Sequence, residues 1–156
     1  MNIFVVHPDP VESAKQLCDK HICKMILESI QMLCTAWSEE EAPKTCGASH
    51  VNHPCCRWAR ESSGNYDWLV KHTMELCKQY TMRYGKTHAW QESAEWLFEN
   101  RPEFTKTEMS PHPQCMPAYC KVDGDSIQAY RNYYINEKSY MAKWKNSKQP
   151  IWFKIK

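Results

Sequence analysis

Apolar residues recur at intervals of three and four over residues 11–37 of this chain. The series consists of Val11, Ala14, Cys18, Ile22, Met25, Ile26, Leu33 and Trp37. This spacing places the side chains on one face of an α-helix, whereas a half-buried strand would alternate. Asp9 as a cap, Pro10 at the first helical position and Glu12 three residues after the cap are typical of a helix start. We therefore predict one long amphipathic helix that runs from this start to the acidic SEEEA segment.

Three further segments show helical periodicity. A second helix is predicted over residues 65–84, and Gly85 is well placed to end it. A third, shorter helix is predicted around residues 90–97. A fourth begins after the capping-box sequence DSIQ and carries apolar residues on one side as far as residue 144.

The segments between these helices contain most of the prolines. Residues 43–56 and 101–117 have no clear period and are predicted to be long loops. The only strand-like pattern is at residues 3–6, which we interpret as a short strand or an extended arm. The chain, taken as one domain over residues 1–156, is predicted to be all-α: a compact helical bundle with long loops and an irregular basic and aromatic C-terminal tail.

Composition places the chain among globular intracellular proteins. Hydrophobic residues make up 42% of the 156 residues, yet no apolar run approaches the length of about 20 residues that a membrane span requires. The nine cysteines are an odd number, so they cannot all pair within the chain, and free thiols are expected in a reducing cytoplasm. We expect a cytoplasmic monomer.

Charge is nearly balanced overall but uneven along the chain. The formal net charge is +2. Residues 131–156 nevertheless contain seven Lys or Arg against one Glu. The C-terminal tail can therefore meet a phosphate backbone, although the whole chain lacks the strong basic excess typical of duplex-binding proteins.

Two titratable residues in the first helix share a face. His21 and Glu28 are seven positions apart, which returns almost to the same direction on a helix. They lie at the border between the apolar stripe and solvent, close to Lys24. One interpretation is a surface ion pair between Lys24 and Glu28, worth a few tenths of a kcal/mol. The other is one wall of an active site, where partial burial shifts the pKa of a carboxyl group.

The interval from Asp19-x-His21 over six residues to Glu28 resembles the first helix of the phage endonuclease V type of pyrimidine-dimer DNA glycosylase. The C-terminal KQPIWFK is similar to that family's basic-Pro-x-Trp-aromatic-Lys segment. MNIFVVHP, NHPCCRW, NYDWL and YTMRYGK resemble more loosely the corresponding segments of bacterial relatives. The resemblance covers most of the chain and is specific at about ten positions.

The chemistry that this resemblance implies needs an amine beside a carboxylate. Enzymes of this family cut the N-glycosidic bond through a covalent imine, formed when a backbone α-amine attacks sugar C1′ with help from a carboxylate. An α-amine has an ordinary pKa of about 7.7–8.0, so part of it is unprotonated at physiological pH. The initiator Met is usually retained before a residue as large as Asn2. The resemblance thus assigns the amine to Met1 and the carboxylate to Glu28.

The resemblance also implies a set of DNA-contacting or site-lining residues. They combine positive charge, imidazole rings and aromatic rings, and they are His21, Lys24, His53, Arg57, Arg60, Arg83, Lys86, His88, Trp152 and Phe153. Two groups keep a second interpretation. In the second interpretation, the cations of YTMRYGKTH stabilise the negative end of a helix dipole, and the aromatic residues of the tail pack on the core.

Cysteine and histidine also raise the question of zinc. HVNHPCC offers His50, His53, Cys55 and Cys56, and a second group consists of His112, Cys115 and Cys120. Neither has the spacing of two C-x2-C pairs, and neighbouring Cys55 and Cys56 cannot easily face one ion. We predict free thiols, no metal and no cofactor.

The sequence leads to one main hypothesis and two alternatives. The first is a DNA N-glycosylase, with lyase activity through the imine, that acts on damaged or modified pyrimidines in DNA that is expected to be duplex. The second is a noncatalytic nucleic-acid or nucleotide-binding protein with the same fold, such as a phage accessory or counter-defence factor. The third is an N-glycosidase that acts on a small nucleotide.

Overall fold

The structure, a computed structural model, describes residues 1–41 and 47–154, and in these two ranges every regular element is a helix. A short 3-10 helix at Ala118–Cys120 precedes the last α-helix, which continues as a π-helical turn over Tyr134–Lys138. The α-helices are α1 (Pro10–Lys15), α2 (Asp19–Cys34), α3 (Pro54–Glu61), α4 (Ser63–Tyr84), α5 (Gln91–Glu99) and α6 (Ser126–Tyr133). The prediction of an all-α fold is confirmed. None of the described helices is both long and apolar enough to cross a membrane.

Helix α4 is the central element, because α1, α2, α3 and α5 all pack against it. The Ser62 hydroxyl accepts the Asn65 N–H at its start, and Gly85 ends it with a left-handed φ of +72°, which a residue with a Cβ rarely adopts. The predicted helix over 65–84 is therefore confirmed to within two residues. Near its start, Gly64 lets the 101–117 loop approach: a Cβ there would lie 2.8 Å from the Thr107 carbonyl oxygen.

The long first helix predicted from Asp9 is wrong, because the chain breaks between α1 and α2. No proline or glycine marks the break. Instead, side chains from distant elements satisfy three successive carbonyl groups: Arg83 donates to Lys15 O at 3.0 Å and to Leu17 O at 2.8 Å, and Trp144 Nε1 donates to Gln16 O at 2.9 Å. A helix can stop in the interior only when its last carbonyls find such partners.

Arg83 is the buried centre of this break. The residue is 1% exposed, and its guanidinium also meets Asp19 Oδ1 at 3.1 Å, in the first turn of α2. The same carboxylate accepts the Lys145 N–H at 2.9 Å. One guanidinium thus joins the end of α1, the start of α2 and the C-terminal segment.

Helix α3 was not predicted. It begins at Pro54, inside the segment that we assigned to a loop over residues 43–56. His53 caps it by accepting the Cys55 N–H on Nδ1 at 3.1 Å, and Pro54 occupies the first turn, where a missing N–H costs nothing. Residues 47–53 are loop as predicted, and 42–46 lie outside the described residues.

The remaining helix predictions agree with the structure as far as residue 133 and differ from it after that residue. Helix α5 agrees with the predicted third helix, and residues 101–117 contain no helix, as expected. Asp125 caps α6 by accepting the Gln128 N–H, but the regular helix ends at Tyr133 instead of reaching residue 144. Trp144 therefore leaves the helix and reaches Gln16 at the α1–α2 break.

The N-terminal residues form the extended arm that we predicted as one of two possibilities. Ile3, Phe4, Val5 and Val6 are all 5% exposed or less, and they are not paired in a strand. The Ser13 hydroxyl, at the start of α1, accepts the Val6 N–H at 3.1 Å and donates to Phe4 O at 3.2 Å. Four buried apolar side chains, each contributing about 1.5–3 kcal/mol, hold the arm in the core.

Three histidines are buried among aromatic rings. His112 stacks on Trp58 at 4.1 Å between centroids, His72 stacks on Trp68 at 4.9 Å, and His21 stacks on Phe4 at 4.0 Å. Burial lowers the pKa of His21 and His112 to about 3 and that of His72 to about 4. All three are neutral in the folded chain at physiological pH.

Replacing Arg83 should be far more damaging than replacing a surface arginine. Arg83→Ala leaves the Asp19 carboxylate without its cation, with only the Lys145 N–H as a partner, and leaves the Lys15 and Leu17 carbonyls without these donors, so we expect the free energy of unfolding to fall by about 3–5 kcal/mol. Arg101→Ala removes an exposed ion pair with Asp67 and should cost less than about 1 kcal/mol. Urea unfolding measures both. Equal losses in the two variants would contradict the role given to Arg83.

Stability should fall as the solution is acidified. Unfolded histidines titrate near 6.5, whereas these three resist protonation to about 3–4 in the folded chain. The unfolded state therefore binds more protons than the folded state below pH 6.5. Each of the three histidines lowers the free energy of unfolding by about 1–2 kcal/mol between pH 7 and pH 5. His112→Phe should reduce this loss by one such share, whereas His50→Asn, at an exposed histidine, should not. Urea unfolding at the two pH values tests this, and an unchanged pH dependence in His112→Phe would contradict it.

Candidate active site

The buried arm brings the first residue of the chain to the middle of α2. The α-amino nitrogen of Met1 lies 3.0 Å from Glu28 Oε1. The other carboxylate oxygen, Oε2, lies 3.8 Å from Lys24 Nζ one helical turn earlier. Glu28 thus joins both interpretations considered for it, because it makes the surface pair with Lys24 and also faces an amine.

The amine and the carboxylate are accessible, although the groups around them are buried. The Met1 side chain is 2% exposed while the residue as a whole is partly exposed, so the exposed part is the main-chain end that carries the amine. The Glu28 side chain is 13% exposed and that of Lys24 is 72% exposed. Part of the pair is therefore open to solvent, and the exposed Lys24 ammonium lies beside the carboxylate.

Asn2 fixes the position of the amine. Its side-chain amide donates to Cys115 O at 2.9 Å, and its Oδ1 accepts from the Tyr130 hydroxyl at 2.6 Å and from the Ile3 N–H at 2.9 Å. These contacts tie the second residue of the chain to the 101–117 loop and to α6. Sequence reasoning missed this role, since partners more than 110 positions apart leave no local pattern.

His21 supports the site from below. Its ring lies under Phe4, and its Nδ1 makes a 2.6 Å hydrogen bond with the Tyr134 hydroxyl. With 5% exposure and a pKa lowered to about 3 by burial, it is a neutral, packed ring. The helix periodicity predicted His21 at the border between core and solvent, but the residue is buried, and its contacts run inward to Phe4 and Tyr134.

His53 approaches the same amine from α3. It is partly exposed, and the pKa of its imidazole is lowered by burial and by the positive N-terminus, while Glu28 opposes that shift. The cap of α3 therefore forms a second side of the site. His53 stays a predicted substrate contact on the basis of this position.

Comparison with known proteins bears on this arrangement. Residues 1–92 match the family model described as pyrimidine dimer DNA glycosylase. The chain belongs to this family. The matched part contains the arm, α1 to α4, and both members of the Met1–Glu28 pair. No curated protein and no solved structure gives a significant match.

A basic groove adjoins the glycosylase-family site along α3. Its lining includes Arg57, Arg60 and Lys106 with one acidic residue, Glu61, and its volume is about 850 Å³. Arg57 is exposed, whereas Arg60 is partly buried and donates to Val51 O at 2.6 Å. Pro54 also lines the groove, so the groove begins at the residue that follows His53.

The end of α4 holds two more predicted contacts. Lys86 is exposed after the Gly85 cap. His88 is partly buried: its Nδ1 accepts the Trp90 N–H and its Nε2 lies 3.2 Å from Cys23 O, on the helix that carries Lys24. Burial lowers the pKa of His88, so it is a neutral connection between α2 and α5.

Besides His21, two more of the predicted contacts are buried. Arg83 is buried at the α1–α2 break, and Phe153 is 3% exposed against Trp144, so neither ring nor guanidinium is presented to a ligand. Trp152 is partly exposed, donates from Nε1 to Gln16 Oε1 at 2.7 Å and lies under Arg131. We leave Arg83 and Phe153 out of the proposed DNA contacts, because both are committed to the core.

One group of side chains has the composition of a metal site. The ligand atoms of His53, Cys55 and Cys115 lie within 4.8 Å of one another. The sequence placed these residues in two separate groups. Cys56 is not part of the group, because its thiol donates to Ser49 O at 3.4 Å.

The hydrogen bonds of Asn2 should contribute measurably to the free energy of unfolding. Asn2→Leu keeps the size of the side chain and a bulky residue after Met1, but it leaves Cys115 O without its donor and the Ile3 N–H without its acceptor. We expect the free energy of unfolding to fall by about 1–3 kcal/mol. Asn52→Leu, at an exposed loop position, should change it by less than about 0.5 kcal/mol. If thermal unfolding shows equal effects for the two variants, Asn2 does not anchor the arm.

Proposed function

We propose that this protein is a DNA N-glycosylase that removes a damaged or modified pyrimidine, with the Met1 amine as nucleophile and Glu28 as its proton-transfer partner. The observation that carries the proposal is the 3.0 Å contact between the Met1 nitrogen and Glu28 Oε1. Membership in the glycosylase family supports DNA as the substrate. The same pairing is what the spacing of Asp19, His21 and Glu28 implied by resemblance.

The first step replaces one bond at the sugar with another. The neutral Met1 amine attacks C1′ while the N-glycosidic bond breaks, and the electron pair of that bond leaves with the base, which takes up a proton. Glu28 removes a proton from the new C1′–N centre. Its negative charge also favours the positive charge that develops on the sugar.

The second step opens the sugar ring. The nitrogen lone pair forms a C=N bond to C1′ while the C1′–O4′ bond breaks, and O4′ receives the proton that Glu28 carries. The product is a protonated imine between the protein and an open sugar. Water can hydrolyse this imine, which returns the amine and leaves an abasic site.

Strand cleavage follows from the same intermediate. The imine makes the C2′ hydrogen acidic. A carboxylate at the position of Glu28 can take that proton while the C3′–O bond breaks, and the electron pair departs with the 3′-phosphate. We therefore propose lyase activity as a consequence of the imine.

Charged groups near the pair suit a DNA backbone. The exposed Lys24 lies beside Glu28, and Arg57, Arg60 and Lys106 line the groove that begins at Pro54, the residue after His53. Lys and Arg contacts to phosphates fix the position of a duplex without reading its bases. A target nucleotide would leave the stack so that C1′ can meet an amine held on a buried arm.

Removing the carboxylate should lower turnover much more than binding. Glu28→Gln keeps the size of the side chain but cannot transfer protons, so we expect the rate of base release from irradiated duplex DNA to fall by about 100-fold or more. The dissociation constant for the same DNA should change only a few-fold. Glu12→Gln is a matched control, because Glu12 is a helical glutamate paired with Lys15 on the surface. Single-turnover kinetics and fluorescence anisotropy give the two quantities.

Borohydride reduction tests the imine itself. Irradiated and abasic duplexes are incubated with the protein and reduced, and the adduct is mapped by mass spectrometry, with an intact-mass measurement to establish that Met1 is present. We expect the adduct on the Met1 amine. Binding without an adduct on any of these substrates would rule out the imine mechanism and support the noncatalytic alternative. An adduct on a lysine would overturn the role of Met1.

A further inference from the structure

We propose that His53, Cys55 and Cys115 form a binding site for a thiophilic divalent cation, with zinc as the expected ion, directly behind the N-terminal arm. This proposal does not depend on the glycosylase activity. Its two sulfur ligands are distinct from the Met1–Glu28 pair, whereas His53, the cap of α3, lies between the two groups, and Asn2 contacts both cysteines.

The distances suit a four-coordinate ion. The two sulfur atoms of Cys55 and Cys115 are 3.9 Å apart. Two sulfurs bound to one zinc at about 2.3 Å with tetrahedral angles lie about 3.8 Å apart. The ligand atoms of all three residues lie within 4.8 Å of one another, so an imidazole nitrogen joins the sulfurs after a movement of about 1 Å.

The type of ligand favours zinc over harder cations. Two thiolates and one imidazole are soft ligands, and the group contains no carboxylate. Three protein ligands leave a fourth position for water or another small ligand, as in open zinc sites. Cys55 is buried while His53 and Cys115 are partly exposed, so an ion can enter from one side.

Coordination would replace one hydrogen bond. In the metal-free chain, His53 Nδ1 accepts the Cys55 N–H at 3.1 Å. A neutral imidazole has one ring lone pair, so binding through either nitrogen removes this bond. The ion would then take over the task of holding His53 next to the start of α3.

The site would fasten three parts of the chain that otherwise meet through Asn2. His53 and Cys55 begin α3, and Cys115 belongs to the 101–117 loop. Asn2 touches both cysteines, since its Oδ1 lies 3.8 Å from Cys55 Sγ and its Nδ2 donates to Cys115 O. A bound ion would therefore stiffen the surroundings of the arm without touching Glu28.

Cobalt titration of the reduced, chelator-treated protein tests the proposal. We expect one equivalent of Co²⁺ to bind with the near-ultraviolet absorption of a thiolate–cobalt bond, and Zn²⁺ to displace it. Cys55→Ser and Cys115→Ser should weaken binding by more than about 100-fold, since even the loss of a supporting hydrogen bond costs 10–100-fold. Cys56→Ser, at the adjacent cysteine that faces Ser49, should bind as the unchanged protein does.

Further measurements keep the result interpretable. Zn²⁺ should raise the unfolding temperature of the unchanged protein and of Cys56→Ser, but not that of Cys115→Ser. If a cysteine variant loses its helical circular dichroism, His53→Gln, at a partly exposed position, serves in its place. Equal cobalt binding in Cys56→Ser and Cys115→Ser would overturn the proposal. The proposal would also be overturned if the reduced protein takes up no metal. This holds even if Cys55 and Cys115 of that protein form a disulfide on mild oxidation.

Discussion

The guanidinium of Arg83 is the interaction on which the arrangement of the other elements depends. It donates hydrogen bonds to two carbonyl groups at the end of α1 and forms an ion pair with Asp19 at the start of α2. Without these bonds, the chain could not change direction in the interior, because unpaired buried carbonyls are costly. The arm runs beside α2, with Phe4 on His21 and Met1 next to Glu28, so the position of the first residue depends on the orientation of the helix whose start Arg83 holds.

The success of the sequence prediction varied with the range of the interactions involved. Helix α4 was predicted to within two residues because its periodicity and the Gly85 end are local features. The α1–α2 break was missed because the residues that permit it, Arg83 and Trp144, are distant in sequence. Helix α3 was missed for another reason: His53-Pro54 is a helix start, but in a segment rich in proline and glycine it suggests a loop.

The site shows the same division. The interval between Asp19, His21 and Glu28 drew attention to α2, and in the structure the three residues make different contacts. Asp19 orients α2 through Arg83, His21 supports the arm through Phe4, and Glu28 meets the amine. The clamp on Asn2 and the meeting of Cys55 with Cys115 depend on loop contacts across the whole chain, which no spacing rule describes.

The length of the extended arm determines the position of the Met1 amine. Side chains of an extended segment alternate in direction and advance about 3.3 Å per residue. Val6 is held by Ser13 at one end and Asn2 by Tyr130 at the other, so the distance between them cannot adjust. Deleting one residue of the arm would withdraw the amine from Glu28 by about a residue's length and disrupt the packing of the four buried apolar side chains. In this fold, the number of residues before Ser13 is therefore as much a part of the site as the identity of any one of them.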